Sequence, residues 1–418
     1  MIVISGEILE KVLKKKKSAD VFFNCWDKGD VYNLIQDKNF QVPVHGTLLY
    51  TTDKEFISIA NEGKDNDLVR IIVRQCHAES KASLENPSEL MKVIGYVKNV
   101  KNWKEVPVQI VPVKKDIFSR FKGILETNAL SNKKVLIAGL GSGGSQIAIE
   151  LGKSGGMNFW LMDYDRFEVS NVMRQLPGLS HVGRYKTNAI ADLLKDKNPF
   201  AKIHTWTAKI CWKIIDEIRK VVQKVDLVIC ATDIKESKLI MNKVCFEEKK
   251  PCIFPGAFRR AYGGQILFVR PGKSLCYQCF CMYVPKFAKD EEISNLEQAE
   301  GLAYTDRPVP IEPGLSNDIA PISTMTVKLA IQELIKGTNT TLESLNDDLV
   351  ASWYLWINRR EAGTQFEDLK PLEFNIDGMH ILRWYGIDVK PHPACPVCGD
   401  FQGHLAKQAG IDLSFSDV

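Results

Sequence analysis

A short run of apolar and glycine residues restricts the fold more than any other feature of the chain. Residues Lys133–Gly139 are almost continuously apolar, which is typical of a strand buried on both faces of a parallel sheet. A glycine-rich turn and a segment with helical spacing, Ser145–Gly152, follow directly. A second apolar run, Met157–Met162, ends in Asp163. The order of strand, glycine turn, helix, strand and acid predicts a Rossmann-like, doubly wound, mostly parallel α/β sheet that binds a nucleotide.

The glycines of this turn have separate roles in the predicted site. One permits the tight bend, one lets the backbone approach phosphate, and one lets the helix pack against the strand. The helix N-terminus then presents unpaired N–H groups to an anion. The acid about 20 residues further on is placed to accept a hydrogen bond from a ribose hydroxyl. We therefore predict that the nucleotide is bound by Gly139, Gly141, Gly144 and Asp163.

The residues after Asp163 favour ATP over a nicotinamide cofactor. Arg174 and Lys186 follow the ribose acid and could clamp phosphates, because arginine suits forked recognition and lysine acts as a point charge. Asn171 can donate a further hydrogen bond. Another apolar run ends at Asp233, whose carboxylate could hold magnesium. A dehydrogenase that uses NAD is an alternative, although nicotinamide carries no triphosphate to neutralise.

From about Phe118 to Gly337 the chain resembles the ThiF/MoeB/HesA group, the activating enzymes of ubiquitin-like proteins. The resemblance implies adenylation of the C-terminal carboxylate of a ubiquitin-like protein, with ATP and magnesium as cofactors and release of pyrophosphate. It also implies a homodimer. The matching motifs are Gly139-Leu-Gly-Ser-Gly-Gly144, Asp163-x-Asp165, Ser170-Asn-Val-Met-Arg-Gln175, Gly183-x-x-Lys186 and Ala231-Thr-Asp233.

The resemblance implies a role for each matching side chain. Asp163 and Asp165 would bind the nucleotide, with Asp163 on the ribose, and Asp233 would serve magnesium. The phosphates would be held by Asn171, Arg174 and Lys186.

Two further positions bear on the resemblance. Arg120 looks like the arginine that many members reach across a dimer to place on the γ-phosphate. Family members usually have asparagine after the magnesium aspartate, whereas Ile234 stands here. One contact to substrate or nucleotide is therefore missing or supplied elsewhere.

The cysteine pattern predicts a structural zinc site. The chain is large and has eleven cysteines but no export signal, so metal binding is favoured over disulfides. Four of the cysteines form two Cys-x-x-Cys pairs, which together give a closed tetrahedral four-thiolate site with no open position for substrate. Such a site would tie the C-terminal tail to the adenylation domain. The predicted ligands are Cys276, Cys279, Cys395 and Cys398.

The sequence leaves open whether a thioester follows adenylation. Activating enzymes that form a thioester pass the acyl group to a cysteine, usually in a loop after the first Cys-x-x-Cys pair. In this chain that loop is Ala288–Arg307, which contains no cysteine. The remaining candidates for a transfer thiol are Cys211, Cys245, Cys252 and Cys281, of which Cys281, beside the first Cys-x-x-Cys pair, is favoured. The layout is also similar to that of the enzymes that adenylate a peptide C-terminus to mature microcin-type antibiotics. An inactive scaffold that keeps the fold is a further alternative.

Length and charge set the domain organisation and the class of partner. The 418 residues are divided into an N-terminal α+β domain (1–115), an adenylation domain (116–345) and a C-terminal extension (346–418). The first domain would dock the substrate or a conjugating enzyme. The net charge of +4 argues against nucleic acid or an anionic membrane surface as partner. No apolar run is long enough for a membrane helix, so we expect a cytoplasmic protein.

Two segments near the C-terminus complete the predicted secondary structure. Met325–Lys336 has apolar residues at helical spacing and ends before Gly337. Ser352–Asn358 alternates aromatic residues with others, and we predict an edge strand beside the site.

Overall fold

The computed structural model describes residues 1–36, 42–51, 66–75, 91–99, 102–126, 128–155, 157–283, 314–372, 378–400, 404, 405 and 408. Contacts between Cα atoms divide the chain into two compact units, Met1–Lys122 and Gly123–Val418. Within the described part of the chain, no helix is long and apolar enough to span a lipid bilayer.

The first unit is built on one mixed eight-stranded sheet with the order β7-β6-β5-β4-β2-β3-β1-β8. Its helices are α1 (Gly6–Lys15) and α2 (Val113–Asp116). Its strands are β1 (Ile2–Ser5), β2 (Ala19–Trp26), β3 (Val31–Leu34), β4 (Pro43–Thr51), β5 (Val69–Gln75), β6 (Met91–Asn99), β7 (Asn102–Val106) and β8 (Val108–Val111).

The two ends of this sheet meet at one residue. Strands β7 and β8 lie at opposite ends of the strand order, yet only Pro107 separates them in the chain. The sheet therefore has to curl on itself. Gly95 lets β6 pack tightly against β8 and β1, because a Cβ there would lie 2.5 Å from a methyl group of Val108 and 2.6 Å from one of Ile2.

The second unit contains the predicted doubly wound sheet, with the order β11-β10-β9-β12-β13-β14-β15-β16. The first five strands in this order are parallel, and the last three each pair antiparallel with the preceding strand. The strands are β9 (Lys134–Ala138), β10 (Asn158–Met162), β11 (Lys202–Trp206), β12 (Leu227–Cys230), β13 (Cys252–Ala257), β14 (Gly263–Val269), β15 (Trp353–Ile357) and β16 (Trp384–Ile387).

Helices cover both faces of this sheet, which confirms the predicted Rossmann-like fold class. On β9, Val135 and Ile137 join a core with α3 and the last long helix, while Leu136 and Ala138 join a core on the other face. This two-sided burial explains the continuous apolar run in the sequence. The helices are α3 (Ser142–Lys153), α4 (Lys186–Lys197), α5 (Ile215–Val222), α6 (Lys235–Glu247), α7 (Tyr277–Tyr283) and α8 (Ser316–Leu334).

The edge position predicted for Ser352–Asn358 is wrong. Strand β15 pairs with β14 on one side and with β16 on the other, so β16 is the outer strand. Strand β16 has the sequence Trp-Tyr-Gly-Ile, and its glycine and short length gave no strand signal. Helix α8 also begins nine residues before Met325, at Ser316, and includes Pro321.

A strained turn joins β13 to β14. Arg260 and Ala261 adopt left-handed backbone angles, with φ of 55° and 51°, and the N–H of Tyr262 donates to the carbonyl of Arg259. This is the geometry of a type I′ hairpin turn, in which Asn-Gly is the preferred pair. Side chains that follow β15 hold the turn in place by donating to its two carbonyl oxygens, at 2.8 Å to Ala261 and 2.7 Å to Arg260; the donors are Asn358 and Arg359.

We expect Arg260→Gly to stabilise the protein. A left-handed conformation costs a non-glycine residue about 1–2 kcal/mol, whereas the ion pair of the largely exposed Arg260 with Glu361 contributes about 0–1 kcal/mol. The free energy of unfolding, measured with urea, should rise by up to about 1 kcal/mol. Arg259→Gly is the matched control, because Arg259 is not left-handed; it should lower stability. A lower free energy of unfolding in Arg260→Gly would show that the left-handed conformation of Arg260 does not strain the turn.

Candidate functional site

The glycine turn, Asp163 and Asp233 lie where the strand order reverses. Strands β10 and β11 lie on one side of β9, and β12 and β13 lie on the other. In such sheets ligands bind outside the carboxyl ends of the strands at this switch point. The glycine turn follows β9, Asp163 follows β10 and Asp233 follows β12, so their backbones meet at this edge.

The glycine turn fits an approaching phosphate. Gly139 has φ of +88°, and a Cβ there would lie 2.8 Å from the backbone of Ala231. A Cβ on Gly144 would lie only 1.9 Å from the carbonyl oxygen of Gly139, so glycine is required for this close packing. Gly141 caps α3 and differs from both, because a Cβ there would meet nothing within 4 Å. The space beside Gly141 is the cradle that a phosphate group would fill.

Asp163 is buried beside the glycine turn and its carboxylate is held in one orientation. One oxygen accepts from the N–H of Leu140 at 2.6 Å, and the other accepts from the N–H of Asp165 at 2.8 Å. Burial raises the pKa of Asp163 above its ordinary value, although Lys186 and the two N–H donors lower it. The carboxylate is thus oriented to accept a further hydrogen bond. Acidification should remove its charge at a higher pH than for an exposed aspartate.

Lys186 and Asp165 form an ion pair next to Asp163. Lys186 is the first residue of α4 and is largely buried, whereas the carboxylate of Asp165 is half-exposed. The ammonium nitrogen of Lys186 lies 2.8 Å from Oδ2 of Asp165. The structure therefore brings the predicted phosphate-binding lysine to the second aspartate of the Asp-x-Asp motif.

Asp233 belongs to the same acidic group. Burial raises the pKa of the Tyr164 phenol, and the charges of Asp165, Asp233 and Asp163 raise it further. The charges of the three carboxylates therefore all act on Tyr164, although they come from two different strand ends. Tyr164 itself is half-exposed and was not among the predicted site residues. Its position between the two acids of the Asp-x-Asp motif was the signal for it.

Asn171 and Arg174 are half-buried and lie on the segment that joins β10 to α4. Oδ1 of Asn171 accepts from the N–H of Glu168 at 3.1 Å, which caps a short 3₁₀ turn. The carbonyl of Asn171 accepts from the N–H groups of Arg174 and Gln175. Asn171 therefore also organises the turn that carries Arg174.

Arg120 and Cys281 are the predicted site residues that remain besides the metal ligands. Arg120 is exposed and belongs to the first unit, in a 3₁₀ turn at Ser119–Phe121. Cys281 is half-buried in α7 and packs against the core that includes the cysteine pairs. The segment Ala288–Arg307 lies outside the described residues.

The four predicted zinc ligands come together. Their sulfur atoms all lie within 4.8 Å of one another, and three separations are 3.9 Å (Cys276 to Cys279), 3.6 Å (Cys276 to Cys395) and 3.1 Å (Cys279 to Cys398). A tetrahedral zinc site with bonds of about 2.3 Å places its sulfurs about 3.8 Å apart. The N–H of His392 also donates to the sulfur of Cys279. The donor set thus fits one metal ion.

The other buried thiols are poor nucleophiles. Burial raises the pKa of Cys230 to about 11 and that of Cys252 well above its ordinary value. Because the thiolate is the reactive form, these groups are inert at neutral pH. Cys245 is buried with them in one core. Among the described non-ligand cysteines, those that are not buried are Cys25, Cys211 and Cys281.

Fold and site together define a Rossmann-like nucleotide-binding protein. The sequence pattern of the ThiF family matches residues 114–360, which is more than half of the chain. The chain therefore belongs to the ThiF family. This match confirms the resemblance that the motifs of the glycine turn and the following loops indicated.

Curated relatives agree with this family over part of their length. The chain is 26% identical to uncharacterized protein y4oA of Sinorhizobium fredii over 66% of this chain and 44% of the relative. It is 30% identical to ubiquitin-like modifier-activating enzyme 5 of Caenorhabditis elegans over 37% of this chain and 39% of that protein. The chain thus spans less than half the length of the curated relatives it matches.

Solved structures to which the chain is similar include that of E. coli MccB with MccA-N7isoASN. That structure has a TM-score of 0.47 and 19% identity, over 66% of this chain and 69% of that chain. PaaA gives a TM-score of 0.45 and 16% identity, over 66% of this chain and 87% of that chain.

We expect the purified protein to carry about one metal ion per chain, measured by mass spectrometry of the dissolved metal. Cys395→Ser should abolish this content, because a three-thiolate remnant no longer closes the site. Cys25→Ser is the control, since Cys25 lies in the first unit and outside the cluster. Unchanged metal in Cys395→Ser would show that the ion lies elsewhere.

Proposed function

We propose that the protein uses ATP and magnesium to adenylate the C-terminal carboxylate of a ubiquitin-like protein. The observation that carries this proposal is the hydrogen bond from Leu140, in the glycine turn, to Asp163. It joins a cradle for phosphate to an oriented acceptor for ribose, so that one nucleotide can occupy both. Membership of the ThiF family and the relatives named as ubiquitin-like modifier-activating enzymes support the substrate class.

The charged residues around the cradle would share the triphosphate. Gly141 and the N-terminus of α3 would face the phosphates, together with Asn171, Arg174 and Lys186. Asp233 would hold magnesium, a hard cation that prefers carboxylate oxygens and supplies neutralisation of the phosphates. Arg120 would reach the γ-phosphate of a partner copy in a homodimer, which makes the dimer part of the proposal.

The first chemical step needs no nucleophile from the protein. The substrate carboxylate attacks the α-phosphorus, an acyl–oxygen–phosphorus bond forms, and the bond to the pyrophosphate oxygen breaks. Catalysis then consists of holding the reacting atoms in line and neutralising the negative charge that moves to pyrophosphate. Arg174 and Lys186 would provide this neutralisation, and Asp163 would fix the ribose so that the α-phosphate is presented to the substrate.

Other parts of the chain would support this reaction. The four-cysteine cluster would bind a structural zinc ion that fastens residues 395–398 to α7. The first unit would dock the activated protein or a conjugating enzyme. If a thioester follows, Cys281 is the proposed acceptor, since it is half-buried and lies next to the cluster.

Pyrophosphate exchange tests the proposed reaction. The full-length protein, ATP, magnesium and labelled pyrophosphate should give labelled ATP only with a suitable acyl partner, chosen from ubiquitin-like proteins ending in glycine and from short peptides. Asp233→Asn and Arg174→Ala should each lower the exchange rate at least about 100-fold, while Glu150→Gln, in an exposed pair on α3, should not. Exchange with peptides alone would favour peptide maturation. Hydride transfer to NAD, or no exchange with any partner, would refute the proposal.

A Gly141→Ala variant should separate nucleotide binding from folding. The added methyl group meets no protein atom within 4 Å, so the fold should be retained, but the methyl group would occupy the phosphate cradle. ATP affinity, measured by calorimetry, should fall at least about tenfold. Gly143→Ala is the matched control, because its Cβ would make ordinary contacts with Ser323 and Ile319 instead. Equal affinity in both variants would show that phosphate does not approach Gly141.

A further inference from the structure

Asp165 contacts Lys186 at both ends of the lysine. The ammonium nitrogen lies 2.8 Å from the carboxylate, and the backbone N–H of Lys186 donates to the carbonyl oxygen of Asp165 at 3.0 Å. A lysine side chain has four flexible bonds and considerable rotamer freedom. Fixing its first and last atoms to one residue removes much of that freedom before any ligand arrives.

A short antiparallel ladder makes this arrangement rigid. The N–H of Phe167 donates to the carbonyl of Arg184, and the N–H of Gly183 donates to the carbonyl of Phe167, both at 2.8 Å. Between the first of these bonds and the backbone bond from Lys186 to Asp165, Arg166 pairs with Tyr185, and its guanidinium lies 3.9 Å from the centre of the tyrosine ring. The start of α4 is therefore fixed to the segment that follows β10.

The same residue also connects the lysine to the nucleotide cradle. The N–H of Asp165 donates to Asp163 at 2.8 Å, and Asp163 accepts from Leu140 in the glycine turn at 2.6 Å. An unbroken series of contacts therefore runs from Leu140 through Asp163 and Asp165 to the ammonium of Lys186. Any shift of Asp165 would be transmitted to both the ribose acceptor and the cation.

The exposed fractions of the two side chains indicate that the ion pair of Asp165 and Lys186 positions the lysine more than it stabilises the fold. The side chain of Asp165 is 43% exposed, and ion pairs with an exposed partner contribute little to folding. The side chain of Lys186 is only 11% exposed, so its ammonium has few other positions available. The pair is thus suited to hold one charge in one place.

We propose that Asp165 is a positioning residue that sets the ammonium of Lys186 for a nucleotide phosphate, rather than a ligand of the nucleotide or of magnesium. The inference rests on the proposed function, because it needs ATP to occupy the cradle. It differs from the direct role in nucleotide binding that the resemblance implies for Asp165. When phosphate arrives, Lys186 would be shared between the carboxylate and the phosphate oxygen.

A double-mutant cycle on the full-length protein tests this role. The dissociation constant of ATP with magnesium, measured by calorimetry, should rise about tenfold in Asp165→Asn and about 100-fold in Lys186→Ala. The double variant should equal Lys186→Ala, because Asp165 acts only through the lysine. Asp165→Glu, which keeps the charge, should recover part of the affinity. Asp192→Asn is the matched control, since it removes another aspartate–cation pair of α4.

Each outcome has one meaning. A further tenfold loss from Asp165→Asn in the Lys186→Ala protein, or a shift in the magnesium concentration needed for half-maximal binding, would assign a direct ligand role and overturn the inference. An unchanged affinity in Asp165→Asn, or a failure of the wild-type protein to bind ATP, would also overturn it. If the cycle is coupled but no partner supports pyrophosphate exchange, the positioning role stands and the proposed reaction fails. If pyrophosphate exchange occurs but the cycle shows no coupling, the proposed reaction stands and the positioning role fails.

Discussion

The structure of the second unit depends on the burial of β9, beyond its first residue, between two layers of helices. Val135 to Ala138 are fully buried, and alternate side chains enter opposite cores. A central strand of this kind leaves only its ends for polar chemistry, so the glycine turn has to form at its carboxyl end. The position of Asp163 follows from the same constraint, because β10 is parallel to β9 in register and ends beside it. The site is thus a product of the sheet order.

Local patterns of sequence predicted the parts of the fold that depend on neighbouring residues. The bounds of β9 and β10 agree with their apolar runs to within one residue at each end, because burial on two faces demands unbroken apolar sequence. The curled sheet of the first unit left no such trace, since it depends on β6 packing against β1 and β8, which lie far from it in the strand order. The predicted edge position of β15 was wrong for the same reason, because its outer neighbour β16 is separate in the sequence and contains a glycine.

The candidate site divides in the same way. The glycines and acids at strand ends could be predicted from the sequence, because the turn requires them at a fixed spacing from the strands. The ion pair of Asp165 and Lys186 could not be predicted in this way. The two residues are 21 apart in the sequence, and their contact depends on how the chain places α4 beside the segment that follows β10. Arg120 lies in the other unit, and only the resemblance to the family suggested its role. The cysteine pairs were recognisable because each knuckle is local, although the contact between the knuckles is not.

The separation of the two knuckles has a consequence for the order of events at the ribosome. Cys395 follows Cys276 by 119 residues, and chains grow at about 5–20 residues per second. For roughly 6–24 seconds, therefore, the first thiol pair is synthesised without its partners. During that interval a bound metal would have only half of its final ligands, and the pair is open to oxidation or to the wrong ion. Synthesis of the segment that carries Cys395 and Cys398 ends this exposure.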